Sequence, residues 1–179
     1  MKSKIAGIVF ILGSLYYLLA EAISAFSFND LLTNTYLFHT ISELGIPNIN
    51  SPLAFLMNSA FVIIGLTFIF GNFYKLKDFI IKNKVIFYIL TIVSAIGVII
   101  VAMIHAGNPV TDGYHSLGAI MAILGGNLLL IIMSRSMDKF ETYQKITLAL
   151  GIIGLIAFLN ACLNITLFSL NPLARANFT

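Results

Sequence analysis

The stretch VIFYILTIVSAIGVIIVAMI, residues 85–104, runs for twenty residues without a charge. As a helix rising 1.5 Å per residue it is about 30 Å long, the thickness of the hydrocarbon core of a bilayer. Its apolar residues are continuous rather than alternating, so a strand of a membrane barrel is the poorer reading. Four other stretches share this character: Ile5–Phe26, Pro52–Phe73, His115–Ser134 and Ile146–Leu170. The pattern predicts an all-α, polytopic transmembrane helix bundle with five membrane-spanning helices, a single domain over residues 1–179.

Composition supports that class and removes others. The chain is 59% hydrophobic and 9% charged, against about 25% charged for soluble domains. Its mean hydropathy is +1.00. A water-soluble fold could not cover itself with so few charges. The net charge of +3 would suggest nucleic acid in a soluble protein; here it reflects lysines that fix topology, and no nucleic-acid partner is expected. Cys162 is the single cysteine, so neither an internal disulfide nor a CxxC metal clip is available. MKSKIAGIVFILGS opens like a signal peptide, but the apolar run continues to Phe26 with no A-x-A site, which predicts a retained first helix.

Threading the five segments places Lys2, Lys4, Lys75, Lys77, Lys82, Lys84, Arg135, Lys139 and Lys145 on one side and Arg175 on the other. By the positive-inside rule the N-terminus is cytoplasmic and the C-terminus outside, in the cell membrane. Asp78, Asp138 and Glu141 lie among the inner lysines and read as surface ion pairs. Glu21, Asp30, Glu43, Asp112 and all three histidines fall on the outer side.

That clustering defines the candidate site. In IHAGNPVTDGYHSLGAI, residues 104–120, His105 ends one apolar run and His115 opens the next. Asp112 belongs to an Asp-Gly turn dipeptide, and turn-making is the structural alternative for it. Glu21 lies about 24 Å along the first helix. A carboxylate at that depth either snorkels to the interface or is paired with a histidine or cation. His39 and Glu43 are four apart; if TYLFHTISEL is helical they share a face, with Ser42 beside them. This outer segment is amphipathic and should lie at the interface or fold back over the bundle. Asn58, Asn160 and Asn164 add amides at similar depth, Asn127 one deeper; interhelical hydrogen bonding is the structural alternative for each. Gly118, Ala122 and Gly126 form a small-residue face for close helix packing.

If the outer loop folds over the bundle, these groups approach one outward-facing cavity. His39, His105 and His115 are then candidate ligands for a divalent metal such as zinc, since imidazole with carboxylate is a familiar ligand set. The spacing matches no standard metal signature, and HEXXH, GxSxG, Walker A and dinucleotide glycine motifs are absent from the sequence. Polar end-groups and helix caps are the structural readings of the same histidines.

ISELG at Ile41–Gly45, followed by SPLAFLMNSAFVIIGL at Ser51–Leu66, resembles the domain-of-unknown-function 998 family of prokaryotic integral membrane proteins. The resemblance covers roughly residues 5–134. It implies that Ser42, Glu43, Asn58 and His115 occupy the recurring polar positions of that family. It implies no activity, and the family is usually drawn with six helices where five are read here.

Three functions are expected to compete, the last a transporter or a redox subunit with bis-histidine haem, which the placement of His105 and His115 at helix ends disfavours. The first is binding of a lipid or small ligand, or service as an accessory subunit, with membrane lipids and other membrane subunits as partners. The second is a metal-dependent intramembrane hydrolase acting on a lipid at the outer leaflet, with metal-bound water as nucleophile. Ion transport is disfavoured, because the inner half offers little polarity beyond Ser14, Thr67 and Asn127.

Overall fold

The computed structural model describes residues 2–30, 32–47, 50–74, 79–137 and 141–170. The helices are α1 (Lys2–Ser27), α2 (Leu32–Phe38), α3 (Ala54–Tyr74), α4 (Lys84–Met103), α5 (Asp112–Ser136) and α6 (Glu141–Leu170), with a 3-10 turn at Ile41–Gly45. Five of these are long and apolar enough to cross a membrane: Gly7–Ser27 within α1, α3, α4, α5 and Glu141–Leu163 within α6. Each overlaps one of the five apolar segments, with its ends shifted. Among the described residues there is no strand; Ile80 and Met137 form an isolated bridge.

The long helices pack in chain order, α1 on α3, α3 on α4, α4 on α5 and α5 on α6. Glycine sets the closest of these approaches. A Cβ on Gly97 of α4 would lie 2.5 Å from the backbone nitrogen of Ala122 and 2.6 Å from the carbonyl of Gly118. Here two helix backbones touch, which van der Waals packing in an apolar medium favours. The small-residue face of α5 therefore meets α4 through Gly118 and Ala122. Gly126 does not take part: a Cβ there would meet nothing within 4 Å. On the other side of α5, Gly154 of α6 leaves room for the Asn127 amide, whose oxygen would be 1.9 Å from a Cβ.

The two ends of the bundle differ. At one end, α1 finishes, α3 begins, and α4 passes into α5; this histidine end carries α2 and the 3-10 turn. Its core joins Ala25, Phe28, Leu44, Met57, Phe61 and Val101. At the opposite, lysine end, Ile80 is 1% exposed and packs with Phe87 and Leu129, and the Ile81 amide donates to the Ser136 carbonyl at 2.9 Å. Two polar pins, one part-buried and one buried, tie helices together at different depths. The Tyr16 and Ser59 hydroxyls meet at 2.7 Å between α1 and α3, and the Asn72 amide donates to the Thr91 hydroxyl at 3.0 Å between α3 and α4.

Candidate functional site

The polar residues at the histidine end resolve into separate local constellations. The first answers why two histidines flank one short loop. α4 ends at Met103, and its last carbonyls have no partner within the helix. His115, 6% exposed at the start of α5, donates from Nδ1 to the Ile104 carbonyl just past that end. It caps α4 with a side chain from α5. His105 turns the other way. Its Nε2 accepts from the Asn58 amide of α3 at 3.2 Å, which places its own proton on Nδ1 when the ring is neutral. The loop between them is held by its own side chains. The Gly107 amide, at a φ of +82°, donates to Asp112 Oδ1 at 2.9 Å, and Val110 donates to Asn108 Oδ1. Asp112 is thus a turn residue, the structural alternative weighed for it.

Asn58 links this loop to the 3-10 turn. Its amide nitrogen also donates to the Gly45 carbonyl at 2.8 Å, which fixes the orientation of the amide. The amide oxygen is buried without a hydrogen-bond partner and lies 2.3 Å from where a Cβ of residue 45 would be. Only glycine leaves space for it there.

The second constellation centres on His39. The expected continuous helix over TYLFHTISEL is broken: α2 stops at Phe38 and the 3-10 turn starts at Ile41. His39 and Glu43 nevertheless meet, at 2.7 Å between Nδ1 and Oε2. They do so because Glu43 folds back over the start of the turn, accepting from the Thr40 amide at 2.9 Å and its hydroxyl at 3.0 Å. Asp30 approaches the other ring nitrogen, with Nε2 3.5 Å from Oδ2. The Phe28 ring packs on the imidazole, centroids 5.0 Å apart. The hydrogen bond to Glu43, with Asp30 adding to it, raises the His39 pKa against some desolvation. Burial pushes the Glu43 carboxyl up, but hydrogen bonds from Thr40 and His39 outweigh it and leave the pKa lowered. Ser42 is beside this network, its hydroxyl 3.0 Å from that of Thr40.

Among the described residues the partner of Glu21 is neither a histidine nor a cation. The Tyr36 hydroxyl of α2 donates to its carboxylate, and desolvation together with that bond raises the Tyr36 pKa. Nothing in the sequence pattern distinguished Tyr36 from the other apolar residues of its segment. Asp30 was legible as an outer acid but not as the second arm on His39. Asn160 is exposed on α6, which packs on α5, away from Asn58. Asn164 belongs to α6, with its side chain outside the described residues.

The three histidines are therefore not assembled around one point. His39 bonds Glu43, His105 bonds Asn58 and His115 bonds a backbone carbonyl. Among the described residues no group of three or more His, Cys, Asp or Glu is placed to hold a metal ion. The candidate ligands His39, His105 and His115 thus have separate partners in this structure. The physical reason is that each ring is engaged by a backbone end or side chain close to it.

Two grooves accompany these groups. A shallow one of about 540 Å³ lies beside the 3-10 turn, lined by Pro47, Ser51, Pro52, Phe55 and Asn58. The other, of about 530 Å³, is between the helices. α1 and α5 form its walls and α3 and α4 its floor, with Phe10, Tyr17, Phe61, Phe68, Gly126 and Met133 among its lining. From the level of Phe61 to that of Asn72 it runs about 16 Å along α3. Apart from Asn72 and Asn127 and the Tyr17 hydroxyl, its lining side chains are apolar. Gly126 opens its wall. No family profile, curated protein or solved structure matches this chain.

Proposed function

We propose that this chain is a non-catalytic integral membrane protein that binds a membrane lipid, with one acyl chain in the groove between α1 and α5. The observation that carries the reading is the groove itself. It lies within helices long and apolar enough to cross a membrane, and Gly126 widens it without serving any helix contact. Its volume is in the range of small-molecule sites. Water has few polar partners there, so an alkyl chain is the natural filling.

The polar groups at the histidine end support the same reading by what they already do. His105 Nε2 and His115 Nδ1 are taken up in holding α3, α4 and α5 together. The metal-dependent hydrolase would need both rings, with His39, to reach one ion. The proposed orientation has the histidine end outside and the N-terminus cytoplasmic, from the nine basic residues on the other side. Membership of the 998 family is likewise a proposal. In its favour, Glu43, Asn58 and His115 are the side chains that fasten the 3-10 turn and the helix ends.

The test is native mass spectrometry of protein extracted in mild detergent, wild type beside Gly126→Phe. The phenylalanine enters open space, so the bundle should keep its melting temperature while the bound lipid is lost. Wild type without lipid, or a variant that retains the same lipid, would overturn the reading.

A further inference from the structure

α2 lies at the histidine end, and one core cluster connects it to the groove. Leu32 of α2 and Tyr17 of α1 each pack against the core cluster that holds Phe61, and the Tyr17 and Phe61 rings line the groove. α2 itself is lightly held. It packs on α1, where Thr35 is 3% exposed and Tyr36 bonds Glu21. The 3-10 turn that follows is anchored on α1, α3 and α4. The link that closes α2 on itself runs from Asp30, before the helix, to His39, after it.

That link depends on one proton. A neutral imidazole has one N–H; its second nitrogen is an acceptor. Here both nitrogens face carboxylates, Glu43 at 2.7 Å and Asp30 at 3.5 Å. Among the described residues the charged groups acting on His39 are these two, one from the segment before α2 and one from the 3-10 turn. The neighbour near the end of α1 is the apolar Phe28 ring, and the nearby Glu21 of α1 takes the Tyr36 hydroxyl. Only the imidazolium donates to both carboxylates. When it loses a proton, the shorter arm to Glu43 keeps the remaining N–H, because Thr40 holds that carboxylate in place. The lone pair of Nε2 then faces Asp30 and the longer arm opens.

We propose that α2 is a pH-operated lid on the histidine end of the groove, latched by the imidazolium of His39 between Asp30 and Glu43. The lid's purpose rests on the groove reading above; the latch does not. Raising the pH releases the latch and lowering it closes the lid over a bound chain.

The experiment uses the full chain in nanodiscs. Carbon-13 histidine labelling gives three ring signals, and His39→Gln assigns one of them. Amide exchange over residues 32–38 is followed on the same samples from about pH 5 to about pH 9, corrected for its intrinsic pH dependence. In wild type, protection of α2 should fall about tenfold, one hydrogen bond's worth, with the midpoint of the His39 titration. In Asp30→Asn the amide can donate to the neutral ring, so that step should vanish and the His39 midpoint should drop. Protection that stays flat through the His39 titration, or an unchanged step in Asp30→Asn, would overturn the latch. Lipid content, read separately by mass spectrometry, tests the groove: a clear step in a protein that never carries lipid would remove the lid's purpose and leave the latch standing.

Discussion

Asn58 shows how much one amide does at the end of this bundle. One nitrogen serves the Gly45 carbonyl and the His105 ring, joining the 3-10 turn, α3 and the end of α4. Its oxygen is pressed against Gly45, in the space that any other residue's Cβ would need. Gly45→Ala should therefore displace the amide and break both bonds, lowering stability by about 1–3 kcal/mol. Thermal unfolding in detergent measures that directly. The Asn58–His105 contact is separable: in a cycle of Asn58→Ala, His105→Ala and the double variant, the pair should couple by about 0.6–2 kcal/mol, and additive losses would show that it contributes nothing. At this scale the sequence was half legible. Glu43, Asn58, His105 and His115 stood out because polar side chains in an apolar chain are costly unless used. Two of their partners did not, being backbone carbonyls, of Gly45 and Ile104, whose positions depend on where helices end. Tyr36, the partner of Glu21, looks in the sequence like any aromatic residue of an interfacial segment.

At the level of elements, the long helices were readable because the medium sets them. Hydrocarbon about 30 Å thick demands some twenty uncharged residues, and that demand overrides weaker local propensities. The stretch read as Val85–Ile104 is α4, Lys84–Met103. The break between α2 and the 3-10 turn escaped, because it comes from Glu43 capping Thr40 rather than from a glycine or proline. That cap gives the end of the bundle a pH profile of its own. His39 has its pKa raised from 6.5, so its stabilisation is complete below 6.5 and is lost as pH rises through the raised value. Glu43 has its pKa lowered from 4.5, so its stabilisation is complete above 4.5 and is lost as pH falls through the lowered value. The contribution of this pair to the melting temperature should therefore be greatest between 4.5 and 6.5. His39→Gln should remove the decline on the alkaline side. A profile unchanged by that substitution would mean the contact adds nothing to the fold.

For the whole molecule, the order of packing was not legible, and the groove follows from it. Gly118, Ala122 and Gly126 share one spacing, yet the first two meet Gly97 of α4 and the third faces open space. Periodicity marks a face of a helix; which neighbour covers each turn depends on how the helices cross. Orientation is a different kind of question, because translocating a short loop rich in lysine is costly whatever the packing. Lys82 and Lys84 are exposed at one end of the bundle, with Arg135 and Lys145. The loop between α4 and α5, at the other end, carries no basic residue from His105 to Thr111 apart from the histidine itself. Val110, 82% exposed, sits at its tip. In a Cys162→Ala background, Val110→Cys should react with a membrane-impermeant maleimide added to intact cells. Lys82→Cys should react only after the membrane is opened. The reverse pattern would invert the bundle, and with it the compartment whose pH His39 reads.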